Sequence, residues 1–171
     1  GANTGEAVGD TYTLIEGLRG SAQNDTLIGD GGNNSLRAGL GADSLDGGDG
    51  QDFADYRNAT TPLLVSLANP ALNTGEAAGD SYVSIEHLVG GNFNDTLIGD
   101  GQNNLLRGGL GLDSLDGGDG TDFADYRQAD GPIVVNLANT ALNTGEAAGD
   151  IYTSIEAISG SEFNDTLTGD G

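Results

Sequence analysis

Along most of the chain one apolar residue returns every nine positions, flanked by polar or small residues and preceded by a glycine-rich stretch. Four such nonapeptides run unbroken from Gly20 to Asp55: GSAQNDTLI, GDGGNNSLR, AGLGADSLD and GGDGQDFAD. GGNFNDTLI, GDGQNNLLR, GGLGLDSLD and GGDGTDFAD run from Gly90 to Asp125, and GSEFNDTLT follows at Gly160. Gly fills the first one or two places and often the fourth, Asp or Asn the sixth, and an apolar residue the eighth. Glycine with Asn and Asp reaches left-handed backbone conformations, so the first six residues can wrap tightly. The last three form a very short strand whose middle residue points inward. The predicted inward set is Leu27, Leu36, Leu45, Ala54, Leu97, Leu106, Leu115, Ala124 and Leu167. Two nonapeptides then make one right-handed coil, and stacked coils give an all-β solenoid of two facing parallel sheets.

A longer period contains the shorter one. Asn3-Thr4-Gly5-Glu6 recurs at Asn73 and Asn143, and NDTLIGD at Asn24 returns at Asn94 and, as NDTLTGD, at Asn164, each time 70 residues on. Such self-similarity predicts units that bury their apolar faces against one another. The chain divides into a partial connector over 1–19, nonapeptide blocks over 20–55 and 90–125, connectors over 56–89 and 126–159, and the start of a third block over 160–171. Each full connector has 34 residues, which is not a multiple of nine. Alternation at Leu63 to Leu67 and Tyr82 to Glu86, and at Ile133 to Leu137 and Tyr152 to Glu156, predicts longer strands that continue the stack around a GEAAGD turn. Tyr12 to Glu16 belong to the same pattern. Tyr56 and Tyr126 are expected to point inward and close the stack.

Charge changes what this architecture must solve. The chain carries 27 acidic side chains against five arginines and no lysine, a net charge of −22 among 171 residues. Nucleic acid and anionic membranes are therefore not expected partners. There is no cysteine, hence no disulfide, thiolate nucleophile or Cys-ligated zinc. No apolar run is long enough to cross a bilayer. His87 is the only histidine, and it reads as a surface or packing residue. One His without Cys cannot build a catalytic triad or a zinc hydrolase, and uniformly repeated acids define no unique cleft, so no enzyme activity is expected. One buried Leu per nine ordered residues does not offset the entropy of ordering them. Something else must hold the turns.

Oxygen donors are abundant in those turns. Residues 18 apart lie on the same side of successive coils, so Asp25 faces Asp43, Asn34 faces Asp52, Asp95 faces Asp113 and Asn104 faces Asp122. A cation between each pair would take side-chain oxygens from the turns and carbonyls from the glycine-rich backbone. That is the hard, six-to-eight oxygen shell that Ca²⁺ prefers, whereas Mg²⁺ demands near-ideal octahedral geometry. Asp165 occupies the same phase. Asp46, Asp55, Asp116 and Asp125 fall at ninth places and are expected to be outward and solubilising; Asp49 and Asp119 sit at third places, where carbonyl ligation is expected.

GGLGLDSLD and GGDGTDFAD resemble the RTX nonapeptide, GGxGxDxUx with U apolar, a calcium-binding repeat. SIEHLVGGNFNDTLIGD at Ser84 to Asp100 is also similar to the start of the β-roll in the C-terminal domain of serralysin-type metalloproteases. The resemblance implies a parallel β-roll with Ca²⁺ between successive turns, held by carbonyls and the sixth-place Asp. It further implies that Glu86 faces the loop ending in Asp52, that Glu156 faces the loop ending in Asp122, and that Glu16 plays the same part without an upstream partner. Asn34 and Asn104 depart from the pattern by supplying a neutral oxygen, and Gln23, Phe93 and Phe163 replace the fourth-place Gly. The implied function is a non-catalytic module of a larger protein, secreted by a type I-like route to the extracellular space or cell surface, monomeric, packed against flanking repeats and folding on calcium. An adhesive or ligand-binding solenoid is the alternative, but the third places Ala22, Gly31, Leu40 and Asp49 form no matched binding array. A disordered acidic spacer has no reason to keep its leucines in phase.

Overall fold

The structure, a computed structural model, describes residues 15–171. Strand β1 (Gly17–Arg19) ends the partial connector, and the first block holds β2 (Thr26–Ile28), β3 (Ser35–Arg37), β4 (Ser44–Asp46) and β5 (Phe53–Asp55). The connector adds β6 (Leu64–Ser66), β7 (Ser81–Val83) and β8 (His87–Val89). The second unit repeats the order with β9 (Thr96–Ile98), β10 (Leu105–Arg107), β11 (Ser114–Asp116), β12 (Phe123–Asp125), β13 (Val134–Asn136), β14 (Ile151–Thr153) and β15 (Ala157–Ser159), and β16 (Thr166–Thr168) follows. Most of the connector predicted over 1–19, including Tyr12 to Leu14, lies outside the described residues.

All strand pairs are parallel, and the chain forms a two-faced β-roll. One face is a continuous seven-stranded sheet in the order β1-β3-β5-β8-β10-β12-β15. The other is segmented into β2-β4-β7, β6-β9-β11-β14 and β13-β16. Within a block the register steps by 18 residues, as in Leu27 beside Leu45, and the step carries back to β1, where Leu18 lies beside Leu36. The predicted inward residues Leu27, Leu36, Leu45, Ala54, Leu97, Leu106, Leu115 and Ala124 are all buried in one apolar cluster. Leu167 differs: it is 43% exposed, because it pairs with Val135 and no described coil lies over its other side.

The connectors explain why 34 is not a multiple of nine. After β5 the chain first places β6 beside β9, with Val65 opposite Leu97, before that later strand has been reached in sequence. A loop with 3-10 turns at Pro70–Leu72 and Gly75–Ala77 then carries it back. There β7 pairs with β4, Tyr82 lying opposite Leu45, and β8 joins β5 with Leu88 opposite Ala54. The expected longer connector strands are corrected by this geometry: every one has three residues. A longer strand would outrun its three-residue neighbours and leave ladder groups unpaired. The alternation from Tyr82 to Glu86 is cut at Ser84, whose φ of 49° turns the chain from one face to the other. Tyr56 and Tyr126 are buried, as the sequence predicts.

Candidate metal centre

Every strand except β6 and β13, which are entered from Leu63 and Ile133, is entered by the same triplet, a residue with a side-chain oxygen followed two places later by an inward residue. The pleat that turns the third residue inward places the first at the rim of the turn. On the side feeding the continuous sheet the rim column is Glu16, Asn34, Asp52, Glu86, Asn104, Asp122 and Glu156. From Asn34 onward consecutive members are tied by hydrogen bonds. The Asn34 N–H donates to Asp52 Oδ1 at 2.6 Å, Asp52 N–H to Glu86 Oε2 at 3.0 Å, Asn104 N–H to Asp122 Oδ1 at 2.7 Å and Asp122 N–H to Glu156 Oε2 at 2.8 Å. Glu16 itself is exposed. On the opposite side Asp25 N–H donates to Asp43 Oδ1 at 2.7 Å and Asp95 N–H to Asp113 Oδ1 at 2.8 Å. Asp165 accepts from Ile133 N–H at 3.0 Å.

The second oxygen of each side chain divides these residues into two kinds. In the first two nonapeptides of a block it is consumed within its own turn. Asp25 Oδ2 accepts the Ser21 N–H and Asp95 Oδ2 the Gly91 N–H, both at 2.6 Å, and Asp165 Oδ2 accepts the Ser161 N–H at 2.6 Å. Asn34 and Asn104 use Oδ1 in the same way, on the N–H groups of Asp30 and Asp100 at 2.7 Å. In the third and fourth nonapeptides the turn is different. The glycines at its second and fourth places have positive φ, 102° and 134° at Gly39 and Gly41, so no N–H is presented to the sixth residue. The Oδ2 atoms of Asp43, Asp52, Asp113 and Asp122 are consequently buried with no hydrogen-bond donor.

A buried carboxylate oxygen without a donor is costly, and the electrostatics show it. Burial pushes Asp113 up to about 7, with Asp150 and Asp95 adding to the effect. Asp52 and Asp122 are raised for the same first reason, opposed by the N–H groups of Asn34 and Asn104 and reinforced by Glu86 and Glu156. The surroundings of these oxygens are carbonyls. Gly47 is wedged so tightly that a Cβ there would collide with the Ser84 carbonyl oxygen and with Asp52 Oδ2; Gly117 is wedged alike between the Ser154 carbonyl and Asp122 Oδ2. Ser84 and Ser154 are the two non-glycine residues with positive φ among the described residues, a strained conformation that aims those carbonyls into the cradle. On the other side a Cβ at Gly41 would lie 2.8 Å from the Gln23 carbonyl oxygen. Among the described residues no three His, Cys, Asp or Glu side chains converge. A cation here must draw on carbonyls as well as one or two carboxylates, and that donor set fits Ca²⁺.

Two residues of the site were missed in the sequence. Asp80 and Asp150, at the ends of the GEAAGD turns, continue the second column: the N–H groups of Asp43 and Asp113 donate to their Oδ1 atoms at 2.8 and 2.9 Å. The signal was present, since Asp80 precedes inward Tyr82 by two residues just as Asp43 precedes Leu45. Asp55 and Asp125 are corrected. They are buried, not solubilising: Asp55 receives Arg37 at 2.7 Å and Arg57 at 2.9 Å, and Asp125 receives Arg107 and Arg127. The other ninth-place residues, Asp46 and Asp116, are half-buried, and Asp49 and Asp119 are exposed. His87 packs its ring on Phe53 with centroids 4.7 Å apart and accepts the Leu105 N–H at Nδ1.

The family model of the RTX calcium-binding nonapeptide repeat, which spans four copies, matches residues 19–54, 89–124 and 153–171. That is more than half of the chain. The chain belongs to the RTX calcium-binding repeat family. Comparison with curated proteins gives no match. The matched segments of this RTX chain cover all but the last residue of both nonapeptide blocks, and with them all four donorless aspartates. No helix among the described residues is long and apolar enough to cross a membrane.

Proposed function

We propose that this RTX chain is a non-catalytic calcium-folded module of a secreted protein, with ions at Asp43, Asp52, Asp113 and Asp122. The observation that carries the reading is the set of four buried Oδ2 atoms without a donor. In the open chain these sites do not exist, so binding energy becomes folding energy. Calcium supplies positive charge and up to eight oxygen contacts where the coils otherwise press carboxylates together. Asp43 and Asp113 contribute from one side of the roll; Asp52 with Glu86, and Asp122 with Glu156, contribute from the other. Asp25, Asp95, Asp165, Asn34 and Asn104 shape the adjoining turns, and the backbone carbonyls of Asp25, Asn34, Asp95 and Asn104 are taken up by ladder hydrogen bonds from Ser44, Phe53, Ser114 and Phe123. Blocks 20–55 and 90–125 are the ion-dependent units, and the connectors join them.

An affinity near ~10⁻⁴–10⁻³ M, the range of extracellular modules, leaves the chain loose at low calcium and folds it outside the cell. With a net charge of −22 the ion-free chain also repels itself, which suits passage through a type I-like export channel. The test is circular dichroism during a calcium titration with magnesium and chelator controls. The expected result is a cooperative rise in β signal with calcium and little with magnesium. Unchanged signal from chelator to millimolar calcium overturns the proposal.

A further inference from the structure

We infer that Asp80 and Asp150 are positioning residues for the cation sites at Asp43 and Asp113, and that the buried hydroxyls of Tyr56 and Tyr126 fix them in that part. This inference rests on the calcium reading above.

Asp80 and Asp43 sit in the same rim column and in the same triplet, yet their second oxygens meet opposite fates. Asp43 Oδ2 has no donor, whereas Asp80 Oδ2 accepts the Tyr56 hydroxyl at 2.7 Å. In the second unit Asp150 Oδ2 accepts the Tyr126 hydroxyl at 2.6 Å. Where the chain needs an ion it leaves a bare oxygen, and where it needs a rung that stands without one it supplies a tyrosine.

Counting protons gives the network its direction. The Tyr56 proton is committed to Asp80, so Tyr82, 2.7 Å away, must donate to the Tyr56 oxygen. The Tyr82 oxygen in turn accepts Asn73 Nδ2–H at 3.0 Å, and Asn73 Oδ1 accepts the Ser66 N–H at 2.8 Å. The second unit repeats every link: Tyr152 to Tyr126 at 2.6 Å, Asn143 to Tyr152 at 3.3 Å and Asn136 N–H to Asn143 at 2.8 Å. An uninterrupted line of donors therefore runs from β6, the strand that reaches forward, to the Asp80 carboxylate. That carboxylate receives the Asp43 N–H from the other direction.

The line lies within the connector, whose Leu63, Val65, Ala77, Ile85 and Leu88 belong to the buried apolar cluster of the roll. Asp80 is thus held by contacts within the connector while it sets the backbone of Asp43. The connector supplies one wall of each such site, and the bound ion in return tightens the connector. On the other side of the roll Asp52 and Asp122 take their rung from Glu86 and Glu156, without a tyrosine. The two sides provide an internal control.

The experiment is a calcium titration of the full 171-residue chain followed by the backbone amide NMR signals of Asp113 and Asp122. For Tyr126→Phe the midpoint at Asp113 is expected to rise about tenfold, the loss of one hydrogen bond to a charged group, while Asp122 moves less than twofold. Asp150→Asn keeps an acceptor for the Asp113 N–H and should recover most of the affinity lost in Asp150→Ala. If the native chain shows no calcium midpoint at either amide, the calcium reading itself fails. If the native chain responds but Tyr126→Phe weakens both amides equally, or neither, the positioning inference is overturned. Should Tyr126→Phe not fold at saturating calcium, the Asp150 pair decides: Asn no better than Ala overturns the inference.

Discussion

Asp52 and Glu86, 34 residues apart, are joined by a 3.0 Å hydrogen bond from the Asp52 N–H to Glu86 Oε2, and Asp122 and Glu156 repeat it at 2.8 Å. The last turn of each block is thereby completed by a side chain from the next connector. Glu86 also lies close enough to Asp52 to raise its proton affinity, so the two carboxylates oppose each other until a cation sits between them. Removing Glu86 removes a rung and a repulsion together, and the balance depends on the ion.

Glu86→Ala is expected to stabilise nothing without calcium and to weaken ion uptake at Asp52 about tenfold, as loss of a charged donor–acceptor contact does. Glu86→Gln, which keeps an acceptor for the Asp52 N–H, should fall between the native chain and Ala. Titration calorimetry reads the change. Glu162, exposed in the turn after β15, is the comparison: equal losses for Glu86→Ala and Glu162→Ala would show that the rung has no special role.

The two kinds of sixth-place aspartate predict different stoichiometries. Asp113→Asn replaces the donorless Oδ2 by an amide or turns the single acceptor away from Asp95, and the ion count should drop from about four to about three. Asp95→Asn changes a residue whose second oxygen already serves the Gly91 N–H at 2.6 Å, so the count should stay at about four. Equilibrium dialysis with saturating calcium separates the cases. A loss of one ion in both variants would mean that the turn caps are ligands too.

Much of this arrangement was legible in the sequence. The nine-residue phase gave the inward leucines and the facing pairs Asp25 with Asp43 and Asn104 with Asp122, because a solenoid converts a fixed period into a fixed spatial neighbour. The connectors were less legible. Periodicity cannot show that β6 pairs ahead of its place in the chain, since that choice is set by which strand buries Val65 beside Leu97. Nor could it separate Asp46 from Asp55, which share the ninth place. Only Asp55 has Arg37 beside it in the register and Arg57 two residues on. The family resemblance proposed a sixth-place ligand at every repeat, while the backbone φ of the turn glycines decides which of those oxygens is left bare.

The pH dependence follows from the direction of the carboxylate shifts. In the ion-free fold Asp113 is pushed up to about 7 by burial, with help from Asp150 and Asp95, and Asp52 and Asp122 are raised as well. A carboxylate raised above its ordinary value of 3.8 binds more protons folded than unfolded. Its contribution to stability is therefore full below pH about 3.8 and is lost as pH rises through about 7. Calcium replaces those protons. The ion-free chain should show more β structure at pH 5 than at pH 8, and the calcium midpoint should fall about tenfold per pH unit as pH rises toward 7. Circular dichroism titrations at the two pH values check both statements. A chain less ordered at pH 5 without calcium would contradict the sign.

The arginine clamps supply the last prediction. Burial alone would raise the Asp55 carboxyl, but Arg57 and Arg37 outweigh it and hold it below its usual range, and Arg127 with Arg107 does the same for Asp125. These four ion pairs hold the ninth places of β5 and β12, with Arg37 and Arg107 reaching them from the neighbouring strands β3 and β10, without any metal. Asp125→Ala strands Arg107, whose side chain is only 10% exposed, next to Arg127 with no carboxylate between them. The expected cost is about 2–3 kcal/mol at saturating calcium, below the figure for a fully buried pair because Arg127 remains half-exposed. Asp116→Ala, at the same place of the preceding nonapeptide but without an arginine, should stay within about 0.5 kcal/mol. Urea unfolding of both variants in excess calcium makes the comparison. Equal destabilisation would mean that the ninth-place carboxylates act through general charge and not through the clamp.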